Sequence, residues 1–458
     1  MAINALVGQT ACALAAFVRK REATPVDIVR SHLARIEQLD PVIGAFQVVR
    51  GEKAVVEAEV LSRREDLHRL PLAGVPIAIK DNVQVAGEPM RVGSLATPET
   101  PCAADHETVR RLRAAGAIVL GITRVPELCV WATTDSAFGV TRNPWDRERT
   151  AGGSSGGSAA ALAAAMIPLA LGADGLGSIR IPAASCGILG LKPGPEIVPA
   201  QLGVSSWFGL AESGPMATTV EDAALMLSVL ADREDLAHAD PPASALRIAF
   251  STRSPLAGVR VDRELRGAVL ESAKLLAAAG HLVEEADPPA PTLRSVAAIL
   301  GHWFGGASQE AEMLELRRLE PRNRTHVRLG RLARRLGLVR AKDREAWRAI
   351  NDPFFRRFDL LLTPVLASTP ISCDRWSERG WIANMYANLR FAPFAGAWNF
   401  AGYPAASVPA GVHSDGTPLS VQIVTSLGRE RLILSVARQL EILRPWPRHA
   451  PARAFQTG

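Results

Sequence analysis

Two serines and a lysine stand where the chain has cleared space around them. Ser154 lies in Ala151-Gly-Gly-Ser-Ser-Gly-Gly-Ser158, Ser178 in Gly177-Ser-Ile-Arg-Ile-Pro182, and Lys80 in Ile77-Ala-Ile-Lys-Asp-Asn82. A serine hydroxyl becomes a nucleophile when a neighbouring base takes its proton, and a lysine serves as that base only when neutral. Acyl transfer also needs N–H donors for the developing oxyanion, which glycine-rich bends expose. Together the three residues suggest a hydrolase with a serine nucleophile, a lysine base and no histidine.

Taken singly, each has a plainer reading. A Gly/Ser run is usually a flexible linker. Ser178 alone reads as a turn or N-cap serine, and Lys80 as the end of an apolar strand, Val75 to Ile79. The Gly/Ser run departs from a linker because Ser158-Ala-Ala-Ala-Leu-Ala-Ala-Ala-Met166, a strong helix former, follows at once. Nor is it a phosphate loop, since the closing Gly-Lys-Ser/Thr is missing.

The order of motifs resembles the amidase signature family of serine hydrolases. The relevant segments are Gly152-Gly-Ser-Ser-Gly-Gly-Ser158, Gly172-Ala-Asp-Gly-Leu-Gly-Ser-Ile-Arg180, Pro182-Ala183 and Cys186-Gly-Ile-Leu-Gly-Leu-Lys-Pro193. Lys80-Asp-Asn-Val-Gln-Val-Ala-Gly87, Asn143-Pro-Trp-Asp146, Gly214-Pro-Met-Ala217 and Asn399-Phe-Ala-Gly-Tyr-Pro404 are similar to further family landmarks, so the resemblance runs from about Thr24 to about Glu441.

That resemblance implies roles. Ser178 is the expected nucleophile, Ser154 the bridging serine entered by a cis bond from Gly153, and Lys80 the base. The backbone N–H groups of Gly175, Leu176, Gly177 and Ser178 are the expected oxyanion donors, with Asp174 and Arg180 paired in support. Gly153 keeps a side chain out of the crowded bend. Two positions depart from the pattern. Leu176 stands where the family usually has glycine; a left-handed backbone there would cost leucine about 1–2 kcal/mol, and its side chain would narrow the acyl pocket. Lys192-Pro-Gly-Pro-Glu196 replaces the usual Lys-Pro-Thr, altering a loop behind the site.

Relatives acting on small acidic amides can carry arginine where Ile181 stands, so the expected substrate is a neutral amide, or an ester, with an apolar or aromatic acyl group. Trp131, Trp207, Phe208 and Trp398 are candidates to line its pocket, although core packing is the usual role of any one of them. No cofactor and no metal are expected. Two other functions stay open: the glutaminase subunit of a tRNA-dependent amidotransferase, and a non-hydrolytic binding or scaffold protein.

The elements that must position these residues follow from periodicity. Thr24-Pro25-x-Asp27 reads as a helix start. Val75–Ile79, Ile118–Leu120, Leu246–Phe250, Ala405–Val408 and Leu419–Val424 read as strands, the last two flanking an Asp415-Gly416 turn. Strands alternating with helices predict an α/β fold, a large central mixed sheet covered by helices on both faces. The expected organisation is a single domain over 1–458: an N-terminal helical region (1–60), a catalytic core (61–230), a divergent, partly helical, basic insertion (231–350) and the rest of the core (351–458).

Composition excludes other classes. The chain has 458 residues, 48% hydrophobic and 21% charged, and no charge-free apolar run of membrane-spanning length. The apolar stretch Thr10–Val18 is followed, not preceded, by Arg19-Lys-Arg, the wrong polarity for a secretory signal. Five scattered cysteines without metal spacing read as reduced core thiols of a cytoplasmic protein. The net charge of +6 is concentrated: residues 317–348 hold twelve Arg/Lys against three acids, leaving the remainder at −3. Leu329, Leu332, Leu336 and Val339 recur there at helical spacing, which predicts a surface helix with a basic solvated face, or else a docking face for an acidic partner. A homodimer is left open.

Overall fold

Short apolar runs bounded by turns form the spine of the molecule, whose computed structural model describes residues 5–199 and 201–455. Eleven strands join in one sheet: β1 (Phe46–Val49), β2 (Pro76–Lys80), β3 (Ile118–Thr123), β4 (Leu169–Asp174), β5 (Leu189–Lys192), β6 (Glu212–Ala217), β7 (Arg247–Phe250), β8 (Leu282–Glu285), β9 (Leu360–Thr363), β10 (Ala405–Val412) and β11 (Pro418–Val424). Their spatial order is β1-β3-β2-β4-β6-β5-β10-β11-β9-β7-β8. The sheet is mixed. β2 runs parallel to β3 and β4, and β7 parallel to β8 and β9, while the other neighbours are antiparallel. Strands β2 to β6 and β11 are buried along their whole length, as a sheet covered by helices on both faces requires.

The helices include α1 (Ala11–Arg19), α2 (Pro25–Ile43), α3 (Gly156–Ala163), α4 (Arg180–Cys186), α5 (Leu293–Glu310), α6 (Pro321–Arg335), α7 (Ala341–Arg357) and α8 (Trp381–Phe391). The start of α2 carries a reciprocal cap: Thr24 Oγ1 accepts from Asp27 N–H at 3.1 Å, and Asp27 Oδ2 accepts from Thr24 N–H at 3.0 Å. The apolar N-terminal stretch is α1, a helix that buries Leu14, Ala15 and Val18 against the body. Among the described residues no helix is long and apolar enough to cross a membrane. All five cysteines are free, but only Cys129 and Cys186 are buried.

Two expectations change. The segment 231–350 is not all insertion: β7 and β8, with the helix Arg263–Ala278 beside them, complete one edge of the sheet, while α5 and the loop residues Pro255, Leu256 and Pro291 border the site. The basic segment is also not one solvated helix. It breaks at Gly337 into α6 and α7, and Leu332 (49%) and Leu336 (64%) are exposed, while α6 buries Asn323, His326, Val327, Gly330 and Ala333. Small residues on that face let α6 pack closely on α5, which leucines would prevent. Several of the arginines point inward. Arg322 is fully buried between Asp135 and Glu320, and Arg344 and Arg348 donate to the backbone carbonyls of Phe400 and Ala401.

Candidate active site

Lys80 is the last residue of β2, where the strand leaves the sheet at the edge of a cavity. It is 1% exposed. Its Nζ donates to Ser154 Oγ at 2.8 Å and to the Ala173 carbonyl on neighbouring β4 at 2.8 Å. Burial lowers its pKa from the ordinary lysine value, against weaker opposing pulls from Cys129 and Asp174. The Cys129 thiol, itself pushed up to about 11 by burial, is neutral near pH 7. The Asp174 charge is already spent on Arg180. Desolvation is thus the largest influence on Lys80 and shifts it toward the neutral amine.

Ser154 is fully buried at the turn into α3 and follows a cis peptide bond from Gly153. A β-carbon on Gly153 would lie 2.6 Å from the Trp131 carbonyl oxygen, so only glycine fits that bend. Ser178 sits two residues before α4 and is half-buried at the cavity. Its carbonyl accepts from Ser155 N–H at 3.1 Å, which ties the two bends together. Its hydroxyl makes no hydrogen bond to any described residue. Lys80, Ser154 and Ser178 thus border one cavity, from three segments separated by up to 98 positions in the chain.

The loop between β4 and α4 is shaped by Asp174. Burial works against ionisation of this carboxylate, but Arg180, with Asn399 adding hydrogen bonds, holds its pKa below the usual carboxylate range. Asn399 donates to both the side chain and the carbonyl of Asp174, at 2.9 and 2.8 Å, and Arg180 Nη1 donates to Gln422 Oε1 at 2.6 Å. The C-terminal half of the chain is thereby locked to the loop.

One expected oxyanion donor is corrected here. The Gly177 N–H donates to Asp174 Oδ1 at 2.5 Å and cannot serve a ligand, because the carboxylate folds back across the loop. The N–H groups of Gly175, Leu176 and Ser178 have no acceptor among the described residues. The left-handed backbone falls on Gly177 (φ 118°), not on Leu176, so leucine carries no conformational penalty there.

Two chambers meet at Ser178. The larger, about 190 Å³, is lined by Trp131, Leu176, Ile181, Ile299, Leu300 and Trp303 among others, and has no charged side chain in its wall. Trp131 and Trp303 meet edge to face with centroids 6.1 Å apart, and Trp131 Nε1 is fixed by Asn323 Oδ1 at 2.7 Å. The smaller, about 60 Å³, holds Lys80 and Ser154 together with Asn82, Met90, Leu202 and Glu310. Cys129 and Trp207 border both.

Of the four aromatic candidates, Trp131 and Trp207 line this cavity. Phe208, half-buried, instead meets the His302 ring edge-on, and Trp398, buried in the core, stacks on Tyr403 and faces a separate groove. Trp207 reaches the junction through three successive non-glycine residues with positive φ, Ser206, Trp207 and Phe208 (48°, 52° and 57°). Trp303, Ile299, Leu300 and Glu310 were not foreseen. They come from α5, whose sequence carries no motif; the apolar spacing of Val296, Ile299, Leu300 and Trp303 marks a buried face without saying what it faces.

The family model described as Amidase matches residues 27–434. AmiB2 of Mycobacterium tuberculosis is 41% identical over 436 residues, covering 93% of this chain and 94% of that protein. The acylamidase of Rhodococcus erythropolis is 31% identical and spans 97% of both chains. Among solved structures, 6-aminohexanoate cyclic dimer hydrolase with bound substrate superposes with a TM-score of 0.87 at 30% identity, covering 99% of each chain.

Proposed function

Because the chain belongs to the amidase family and is an amide hydrolase, we propose that it cleaves a carboxylic amide through an acyl-enzyme on Ser178, with Ser154 and Lys80 as the proton relay. The observation that carries this reading is the 2.8 Å contact between a buried, desolvated Lys80 and Ser154, in a cavity where the Ser178 hydroxyl is unbonded. Ser178 Oγ attacks the carbonyl carbon while its proton passes to Ser154 Oγ, and the Ser154 proton passes to Lys80 Nζ. The N–H groups of Gly175, Leu176 and Ser178 hold the oxyanion. The tetrahedral intermediate collapses as the relay returns a proton to the leaving nitrogen, so the amine departs and an ester remains on Ser178. Water then attacks that ester by the same relay and releases the carboxylic acid.

The acyl half of the substrate is neutral and apolar or aromatic. The larger chamber supports this, with tryptophan and aliphatic walls and Ile181 where an arginine would select an acid. The leaving nitrogen must reach Ser154, which borders the smaller chamber, so the acyl group takes the larger one.

The test is labelling with a fluorophosphonate probe and turnover of a panel of aryl and alkyl amides. Wild-type protein is labelled on Ser178, and Ser178→Ala loses both label and turnover while keeping its melting temperature. Turnover by Ser178→Ala above a mock preparation would overturn the assignment.

A further inference from the structure

The smaller chamber holds groups that hydrolysis itself does not use. Glu310 ends α5 with its carboxylate at the chamber wall. Oε1 accepts the Val204 N–H at 3.0 Å. Oε2 has no hydrogen bond and no cation partner among the described residues. Burial raises the Glu310 pKa, only partly offset by the Val204 contact, and a cation placed beside Oε2 would favour the charged carboxylate. The Asn82 amide oxygen, in the same chamber, is buried without a hydrogen-bond partner. A buried acceptor left empty costs free energy unless a ligand donates to it. Trp207 offers an aromatic ring at the boundary, and ring faces attract cations.

Two unused acceptors and an aromatic ring in one small space describe a receptor for a donor-rich cation. Its place follows from the reaction: this chamber contains Ser154 and Lys80, which deliver the proton to the departing nitrogen. The group bound there is the amine half of the substrate.

Resting on the hydrolase reading above, we propose that the chamber formed by Glu310, Asn82 and Trp207 is a subsite for a cationic amine, and that preferred substrates are amides of short diamines, with an ammonium group a few methylenes beyond the scissile nitrogen. The ammonium pairs with Glu310 Oε2, donates to Asn82 Oδ1 and lies against Trp207. The volume of about 60 Å³ limits the amine to a short chain, against about 190 Å³ for the acyl group. The expectation of a wholly neutral substrate is thereby confined to the acyl half.

The experiment compares two 3-phenylpropanoyl amides, one of 1,3-diaminopropane and one of butan-1-amine, in which a methyl stands where the ammonium was. Wild-type kcat/KM favours the cationic amide by about tenfold to a hundredfold, the range for a hydrogen bond to a charged group. In Glu310→Gln, which keeps shape and removes charge, that ratio falls at least tenfold. A wild-type ratio near one, or a ratio unchanged in Glu310→Gln, overturns the subsite. If neither amide turns over, the same pair is tested for protection of Ser178 from the fluorophosphonate. Preferential protection by the cationic amide, lost in Glu310→Gln, supports the subsite, and its absence overturns it. Failure of the probe to label Ser178 at all would instead bring down the hydrolase reading beneath it.

Discussion

Arg180 grips Asp174 with two nitrogens, Nε to Oδ2 at 2.9 Å and Nη2 to Oδ1 at 3.1 Å, and neither side chain has any solvent exposure. Removing one member leaves the other charged and uncompensated in a medium that cannot solvate it. Arg180→Met is expected to destabilise the fold by about 3–5 kcal/mol. An unchanged urea midpoint would show that Asp174 finds another partner.

Lys80 gives a pH signature. Its pKa is lowered by burial, so the neutral, competent form is present above that value and lost as pH falls through it. The kcat/KM profile should rise with pH and then level off, and Lys80→Met should be nearly inactive at every pH. The linked stability has the same sign. Between the lowered value and the ordinary lysine value the unfolded chain binds more protons, so stability rises with pH across that window. A wild-type kcat/KM flat from pH 5 to 9 would contradict a lysine base.

Leu176 lines the larger chamber and packs between two apolar clusters, in contact range of Gly396. Leu176→Ala should lengthen the accepted acyl chain, each newly buried methylene adding up to ~0.8 kcal/mol of transition-state binding. Rate ratios for hexanoyl and octanoyl amides in the two proteins decide it. An unchanged ratio with a lower melting temperature would make Leu176 a packing residue.

His326 sits in an aromatic cage of Trp131, Trp303 and Phe304, with its pKa lowered to about 3 by burial. Its unfolded value is near 6.5, so the unfolded chain takes up a proton first as pH drops. Stability should fall below about pH 6.5, by up to ~1.4 kcal/mol per pH unit until about pH 3. His32, lowered to about 4, acts in the same direction. The urea midpoint of His326→Phe should fall less steeply with acid than that of wild type; parallel slopes would mean that another group controls the acid limb.

How far the sequence speaks depends on the range of the contact. Strands β2 and β11 and the capped start of α2 were legible because burial and capping act between near neighbours: the strand at Val75–Ile79 appears one residue later, as Pro76–Lys80. Ile118–Leu120 runs on to Thr123 because polar Thr123 finds a partner in Ser158 Oγ at 2.8 Å, which no local pattern announces. Capture of the Gly177 N–H by Asp174 was invisible for the same kind of reason, since it depends on how the loop folds back. The basic segment misled because Arg322, Arg344 and Arg348 are satisfied by groups far away in the chain. The residues of α5 that wall the cavity carry only an apolar periodicity, which fixes a face and not its neighbour.

The origin of the cavity walls has a consequence for how such a chain can change. Lys80, Ser154 and Ser178, with the loop that holds the oxyanion donors, all fall between residues 80 and 178. The walls of the larger chamber come mostly from later in the chain, from Trp207 through Ile299, Leu300 and Trp303 to Asn388 and Ala397, whereas the smaller chamber adds Leu202, Trp207 and Glu310 to residues such as Asn82 and Met90 from the catalytic stretch. Much of the acyl-side recognition is therefore written apart from the stretch that carries the reaction. A library confined to residues 296–310 and 388–397 would alter which amides are cut while every member inherits the same cutting chemistry, making this a scaffold whose diet can be rewritten without relearning its trade.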